Sequence, residues 1–154
     1  MVSVSLAFAT LAGISKENKI TLPEIGKLIT VAPFDQLTID GNFKLMLVEN
    51  DEPAVSIKGN TRFVKAFKVY QDRDGLIIRS LYGEGKKDEN QVVINVKNLR
   101  SLRVRKNAVI TTPGILQSAK LNIIVDSECF VSVTNTGETN IRSSDNYELN
   151  ISCK

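Results

Sequence analysis

The stretch that decides the fold is LRVRKNAVITTPGILQSAKLNIIVDSECFVSV, residues 102–133. Apolar residues occupy every second position in four short runs, which begin at Leu102, Ala108, Leu121 and Val131. Alternation with a period of two is typical of half-buried β-strands. Charged and turn-forming residues separate the runs, so this stretch predicts short strands joined by polar turns.

The alternating runs also recur along the chain. Leu102 and Leu121 lie 19 residues apart, Ala108 and Val131 lie 23 apart, and Leu121 and Leu149 lie 28 apart. Intervals of this length are found in solenoid proteins, in which each repeat buries its apolar face against the next. The recurrence predicts a parallel β-helix. A β-sandwich with irregular hairpins is the alternative, and strand spacing alone does not separate the two.

Composition supports an all-β domain. The chain has 154 residues, which fits one domain. Val, Ile and Thr together number 40, whereas Ala numbers only 8. Because β-branched residues favour strands, this bias predicts little helix. We expect a core built from residues at alternating positions: Leu37, Ile39, Phe43, Leu45, Val55, Ile57, Leu76, Ile78, Ile94, Leu102, Val104, Leu121, Ile123 and Val131.

Two places in the first half carry local signals. Asp40-Gly41-Asn42 contains the Asp-Gly dipeptide that favours positive φ, so we predict a tight hairpin turn there. Residues 62–70 combine helical spacing with alternation, which predicts a short turn or helix that leads into a strand.

The residue inventory argues against an enzyme. The chain contains no His, which is the commonest general base and metal ligand. No Gly-rich phosphate loop or Gly-x-Ser-x-Gly motif occurs. Asp126 and Glu128 invite comparison with the acidic residues of polysaccharide-cleaving β-helices, but we interpret them as a solvated turn. We therefore predict no catalytic residues, no metal site and no cofactor.

Basic residues concentrate in the middle of the chain. The net charge is +3 overall, but residues 62–106 contain 12 basic and 5 acidic side chains. The densest run predicts a ligand-binding patch and consists of Lys97, Arg100, Arg103, Arg105 and Lys106. Strand alternation turns Arg103 and Arg105 outward. An anionic glycan or lipid headgroup is the expected ligand. The alternative is that these charges keep the outer sheet soluble and block edge pairing. Few aromatic residues lie nearby, so we predict no nucleic-acid binding.

The ends of the chain carry separate expectations. Residues 1–14 are uncharged and mostly apolar or small, and they are too short to span a bilayer as a helix. We interpret residues 1–33 as a partial signal sequence with a lead-in, and residues 34–154 as one β-solenoid domain. Cys129 and Cys153 lie in alternating apolar contexts, which predicts small buried hydrophobes, and a disulfide between them stays open.

One known family matches this order of runs and turns. The chain resembles the putative auto-transporter adhesin, head GIN domain family, over about residues 34–133. The resemblance rests on the alternating segments at residues 34–47, 55–59, 67–69, 74–78, 92–96 and 99–104. The turn at Asp126-Ser127-Glu128-Cys129 departs from the family's Gly-Ser-Gly-like turns.

The resemblance implies more than the residues themselves show. It implies a right-handed, pectin-lyase-like β-helix in a protein that is secreted to the periplasm or outer surface of a Gram-negative bacterium. It implies an adhesive or scaffolding role with a glycan or cell-surface component as partner. A carbohydrate-active enzyme or an anionic-glycan-binding module is the alternative. The chain ends earlier than family members usually run, so we expect an open solenoid edge and homo-oligomers through it.

Overall fold

The chain is described by a computed structural model over residues 24–73, 75–81 and 89–144. This part consists of strands and one short helix, α1 (Thr61–Lys65), so the all-β prediction is confirmed. The strands are β1 (Glu24–Thr30), β2 (Gln36–Asp40), β3 (Lys44–Glu49), β4 (Ala54–Asn60), β5 (Phe67–Gln71), β6 (Gly75–Ser80), β7 (Gln91–Val96), β8 (Ser101–Val104), β9 (Val109–Thr111), β10 (Lys120–Val125), β11 (Phe130–Ser132) and β12 (Glu138–Ser143).

The strands form two six-stranded sheets. Sheet A has the order β1-β4-β7-β3-β9-β11, and sheet B has the order β12-β10-β8-β2-β6-β5. Both sheets are mixed: the pairings of β1, β4 and β5 are antiparallel, and the remaining ladders are parallel. All described pairings of β8 to β12 are parallel, as the recurring runs predict.

Parallel strands stack in layers. Each layer contains a strand of sheet B and the strand of sheet A that follows it in the chain: β6 with β7, β2 with β3, β8 with β9, and β10 with β11. The layers lie in that order in both sheets. The layer β2–β3 therefore lies between β6–β7 and β8–β9, although it comes first in the chain.

The register differs from the predicted recurrence. Leu102 pairs with Ile123 and Ile110 pairs with Val131, so both ladders have an offset of 21 residues. The predicted offsets of 19 and 23 residues are wrong by two residues in opposite directions. A shift of two residues keeps every side chain on the same face, so alternation alone does not distinguish these registers. Leu121 pairs with Thr139 on β12; Leu149, its predicted counterpart, lies outside the described residues.

The predicted hairpin at Asp40-Gly41-Asn42 is also wrong. β2 ends at Asp40 in sheet B, and β3 begins at Lys44 in sheet A, so the turn is a corner between the sheets. Gly41 does not have a positive φ. A glycine fits here because it has no side chain: an added Cβ would approach the Phe43 ring to 2.7 Å.

The core lies between the two sheets. All fourteen predicted core residues are buried, which confirms the assignment of inward and outward positions. An aromatic cluster fills one end, where Phe43 and Phe63 each meet Phe67 edge-on with ring centroids 4.7 Å apart. Helix α1 contributes Phe63, and it leads into β5 as predicted. Asn60 caps this helix by accepting a hydrogen bond from the Phe63 N–H.

The predictions for the two ends fall largely outside the described residues. The signal-like residues 1–14 and Cys153 are not described. Residues Glu24–Thr30, within the predicted lead-in, form β1 and pair antiparallel with β4. Cys129 is half-buried and packs against the core.

Candidate functional site

The predicted basic run is divided among three places. Lys97 and Arg100 lie at the corner between β7 and β8. Arg103 lies within β8 on the outer face of sheet B, since its neighbours Leu102 and Val104 are buried. The other two predicted residues, Arg105 and Lys106, follow the end of β8 at the next corner and are exposed.

Carboxylates from neighbouring layers pair with three of these cations. Lys97 Nζ lies 2.9 Å from Asp51 Oδ1, and Arg103 Nε donates to Asp126 Oδ2 at 2.6 Å. Arg100 makes a looser contact, with Nη1 3.7 Å from an oxygen of Asp35. Each pair joins strands or corners far apart in sequence, so these cations contribute to interlayer contact.

The Arg103–Asp126 pair is the most developed of these contacts. The hydrogen bond and the charge of Asp126 raise the pKa of Arg103 above its ordinary value. The Asp126 side chain is 22% exposed. Asp126 therefore forms a structural ion pair with Arg103. Of the two acidic residues compared above with those of polysaccharide-cleaving β-helices, Asp126 and Glu128, the first is thus already paired.

A cleft at the β7–β8 corner brings two of the predicted residues together. It has a volume of about 410 Å³, and its charged lining is formed by Asp35, Arg73, Lys97 and Arg100. Asn98, which has a positive φ of 51°, also lines the cleft. The side chains of Lys97 and Arg100 are 50% and 77% exposed, so their charged ends remain accessible to a ligand.

A second, smaller cleft continues this surface. It has a volume of about 170 Å³, shares Asn98 and Arg100 with the first, and adds Lys120 from the start of β10. We call the four cations Arg73, Lys97, Arg100 and Lys120 the basic corner. Sequence reasoning missed Arg73 and Lys120. Arg73 lies between Asp72 and Asp74 in a stretch that signals only a turn, and no local pattern places it beside Arg100.

The outer face of sheet B carries a row of uncharged polar side chains. Residues in register across four neighbouring strands form it: Gln36, Ser101, Asn122 and Asn140. A cleft of about 380 Å³ covers part of this row and is flanked by Lys120 and Arg142. The row offers amide and hydroxyl groups that both donate and accept hydrogen bonds.

The described residues contain neither a cluster of metal ligands nor a helix that could span a membrane. Within residues 24–73, 75–81 and 89–144, no three His, Cys, Asp or Glu side chains are grouped so that they could hold a metal ion. The helix content of the same residues includes no segment with the length and hydropathy needed to cross a bilayer.

Solved structures share this fold. A putative adhesin from Parabacteroides merdae superposes with a TM-score of 0.65 at 19% identity, covering 83% of this chain and 55% of its own. A putative adhesin from Bacteroides fragilis gives a TM-score of 0.59 at 13% identity, covering 79% of this chain and 62% of its own. A "putative lipid binding protein" from Parabacteroides distasonis gives 0.54 at 15% identity, covering 84% and 61%.

At such identities the likeness shows the fold alone. The chain spans less than two thirds of the length of each of these three proteins. No curated protein matches it in sequence. The family described as "Putative auto-transporter adhesin, head GIN domain" matches residues 33–153. That match covers most of the sequence, and the chain therefore belongs to the head GIN domain family of putative auto-transporter adhesins.

Proposed function

We propose that this chain is a non-enzymatic domain of the bacterial cell surface or periplasm, that it serves in adhesion, and that it holds its partner at the basic corner. Family membership and the adhesin-like neighbours support the adhesive role. The observation that carries the proposed site is the cleft of about 410 Å³, which three cations and one carboxylate line.

The geometry of Arg100 favours an anionic partner. Its contact with Asp35 uses one terminal nitrogen at 3.7 Å, which is longer than a hydrogen bond. The rest of the guanidinium fork can bind a carboxylate, phosphate or sulfate group through two N–H donors. Arg73 lines the same cleft and adds a second fork. Anionic glycans and lipid headgroups carry such groups, and the neighbour described as a lipid binding protein supports a lipid surface as one source.

We also propose that the stacked layers form a short right-handed β-solenoid that acts as the scaffold of this site. The equal offset of 65 residues between β2 and β8 and between β3 and β9 supports this arrangement, because two ladders of one repeat advance together in a solenoid. The prediction of homo-oligomers through the solenoid edge is tested by sedimentation of the purified domain at several concentrations.

A charge-reversal experiment tests the basic corner. Arrays of acidic and neutral glycans, and vesicles with or without anionic lipid, are probed with the wild type and with Arg73→Glu/Arg100→Glu. We expect the wild type to bind only the anionic probes, and we expect this binding to weaken as salt rises. The charge-reversed variant should not bind them. Arg105→Glu/Lys106→Glu is the matched control, because it makes the same charge change at the other corner and should still bind.

Two results would contradict the proposal. Equal loss of binding in the two charge-reversed variants would show that net charge matters and that this corner does not. Absence of wild-type binding to every anionic probe would remove the basic corner as a binding site and leave a scaffold function.

A further inference from the structure

Three clefts follow one another from the basic corner onto the outer face of sheet B. The cleft of about 410 Å³ and the cleft of about 170 Å³ share Asn98 and Arg100. The smaller cleft shares Lys120 with the cleft of about 380 Å³ on the sheet. Because each neighbouring pair has lining residues in common, the three clefts adjoin in a row that begins at Arg73 and reaches Arg142 on β12. We call this surface the cleft row.

Strand register builds the far end of the cleft row. Ser101, Asn122 and Asn140 lie level with one another on β8, β10 and β12. Lys120 lies two residues before Asn122 on β10, and Arg142 lies two residues after Asn140 on β12, so all of them share the outer face. A strand rises about 3.3 Å per residue and neighbouring strands lie about 4.8 Å apart, which places the Cα atoms of Lys120 and Arg142 about 14 Å apart.

The two cations at the ends of this stretch are not used in ion pairs. Within the described part of the chain, neither Lys120 nor Arg142 has a carboxylate within ion-pair distance. Glu138 lies level with Lys120 on β12, but its Oε1 accepts a hydrogen bond from Asn140 Nδ2 at 3.0 Å. Lys120, Arg142 and the amide of Asn122 between them are exposed, so all three are available to a ligand.

Exposed apolar side chains lie away from the cleft row. Those of the described residues are Ile25, Leu28, Tyr70, Leu81, Ile115 and Phe130. None of them lines any of the three clefts. Binding to a membrane surface depends on buried apolar area as well as on charge, so the cleft row suits a water-soluble polymer better than a bilayer.

We propose that the cleft row binds one linear acidic polysaccharide in which charged sugars alternate with neutral ones. This inference rests on the proposed function, because the sugar chain starts at the basic corner. Carboxylates of the sugar chain are bound in turn by Arg100, Lys120 and Arg142. Hydroxyls of the neutral sugars between them exchange hydrogen bonds with Asn122 and Asn140, because a carboxamide both donates and accepts.

Dependence of affinity on chain length tests this inference. Hyaluronan oligosaccharides are suitable probes, because their glucuronate units alternate with neutral sugars. Isothermal titration of the complete chain compares the disaccharide with the hexasaccharide, and vesicles that contain phosphatidylglycerol serve as the membrane probe. We expect the hexasaccharide to bind at least about tenfold more tightly than the disaccharide, because its contacts beyond the basic corner become intramolecular.

Variants at the far end separate the cleft row from the basic corner alone. Arg142→Glu should lower the affinity for the hexasaccharide to that for the disaccharide. Asn122→Ala keeps the net charge and should lower the affinity for the hexasaccharide about fivefold. Lys68→Glu is the matched control, because it makes the same charge change at an exposed position on β5, at the opposite edge of sheet B, and should bind like the wild type.

The outcomes distinguish this inference from the proposed function. Equal affinities of the wild type for the two oligosaccharides, or a hexasaccharide affinity that Arg142→Glu leaves unchanged, would overturn the cleft row and leave the basic corner as the whole site. Binding to the vesicles without binding to either oligosaccharide would overturn it in favour of a lipid headgroup at that corner. Absence of binding to every acidic probe would overturn both proposals.

Discussion

Arg103 Nε donates a 2.6 Å hydrogen bond to Asp126 Oδ2 and thereby joins β8 to the turn that follows β10. The two residues come from adjacent layers of sheet B. Arg79 and Asp40 form a similar pair at 3.0 Å between β6 and β2. Opposite charges from neighbouring layers therefore meet along this sheet, and Arg103 of the basic run contributes to the structure.

We expect charge reversal at Arg103 to destabilise the domain, because it would place two carboxylates together. Arg103→Met should lower the Tm by about 2 °C or less, since an exposed pair contributes little. Arg103→Glu should lower it further, and added salt should reduce that loss. The swap Arg103→Glu/Asp126→Arg should recover most of it. Thermal denaturation measures all three, and a swap that is as unstable as Arg103→Glu would contradict the pair.

The same pair predicts how stability depends on pH. Asp126 raises the pKa of Arg103 in the folded state. A group with a raised folded pKa contributes its full stability below the unfolded pKa and loses it as pH rises through the folded value. For an arginine both values lie far above neutrality. The unfolding free energies of wild type and Arg103→Met, measured through the neutral range, should therefore run parallel; a gap that changes with pH would contradict this assignment.

The core offers a direct test of the layer structure. Leu102 and Leu121 are 0% exposed, on neighbouring strands β8 and β10. Leu102→Ala and Leu121→Ala should each cost about 2–5 kcal/mol, because each removes buried methyl groups and leaves a cavity. Ile115→Ala is the control, since Ile115 is 56% exposed, and it should change stability by about 0.5 kcal/mol or less. Urea denaturation measures the differences, and near-wild-type stability of both leucine variants would be inconsistent with this packing.

Alternation in the sequence was sufficient to predict the core but not the pairing. Leu102 and Val131 are inward as expected, because a period of two fixes which side chains share a face. Their partners were misplaced by two residues, because a shift of two preserves the face and leaves no trace in the pattern. The Asp40-Gly41-Asn42 corner was misread for a related reason: a local turn signal does not say which sheet the next strand joins.

The candidate site was only partly predictable. Lys97 and Arg100 stood out because they belong to a dense basic run. Arg73 reaches the same cleft only because β6 stacks beside β2. Contacts of this kind arise from tertiary stacking, and a single sequence does not encode them in any local spacing.

Adding a side chain at Gly137 should cause a steric clash, whereas adding one at Gly114 should not. An added Cβ at Gly137 would collide with the main chain of Ser118 and Ala119, whereas one at Gly114 meets nothing within 4 Å. Neither glycine has a positive φ, so conformation does not complicate the comparison. Gly137→Ala should cost about 1–3 kcal/mol because the corner before β12 must shift. Gly114→Ala should be neutral or stabilising by up to about 1 kcal/mol. Chemical denaturation compares them, and equal stabilities would refute the close approach.

The side chain of Asn135 hydrogen-bonds to the main chain of Ser118, where a strand partner would otherwise do so. Its Oδ1 accepts from the Ser118 N–H at 2.9 Å, and its Nδ2 donates to the Ser118 carbonyl at 3.0 Å. Ser118 is buried. Two residues earlier in the chain, Leu116 forms an isolated parallel bridge with Asn135. The carboxamide therefore satisfies both main-chain groups of a buried residue where the strands are interrupted.

Replacing this carboxamide by a carboxylate gives a sharp test. Asn135→Asp keeps the acceptor but loses the donor and sets a negative charge against the Ser118 carbonyl, so it should cost about 1–3 kcal/mol at neutral pH. The protonated acid can donate again, and its folded pKa should therefore be raised. Stability should then be recovered as pH falls below that folded pKa. Asn122→Asp, at an exposed position on β10, is the control and should show neither the loss nor the recovery. Denaturation of both variants is measured at neutral and at acidic pH. If Asn135→Asp loses the same stability at both pH values, the hydrogen bond donated to the Ser118 carbonyl does not account for the loss.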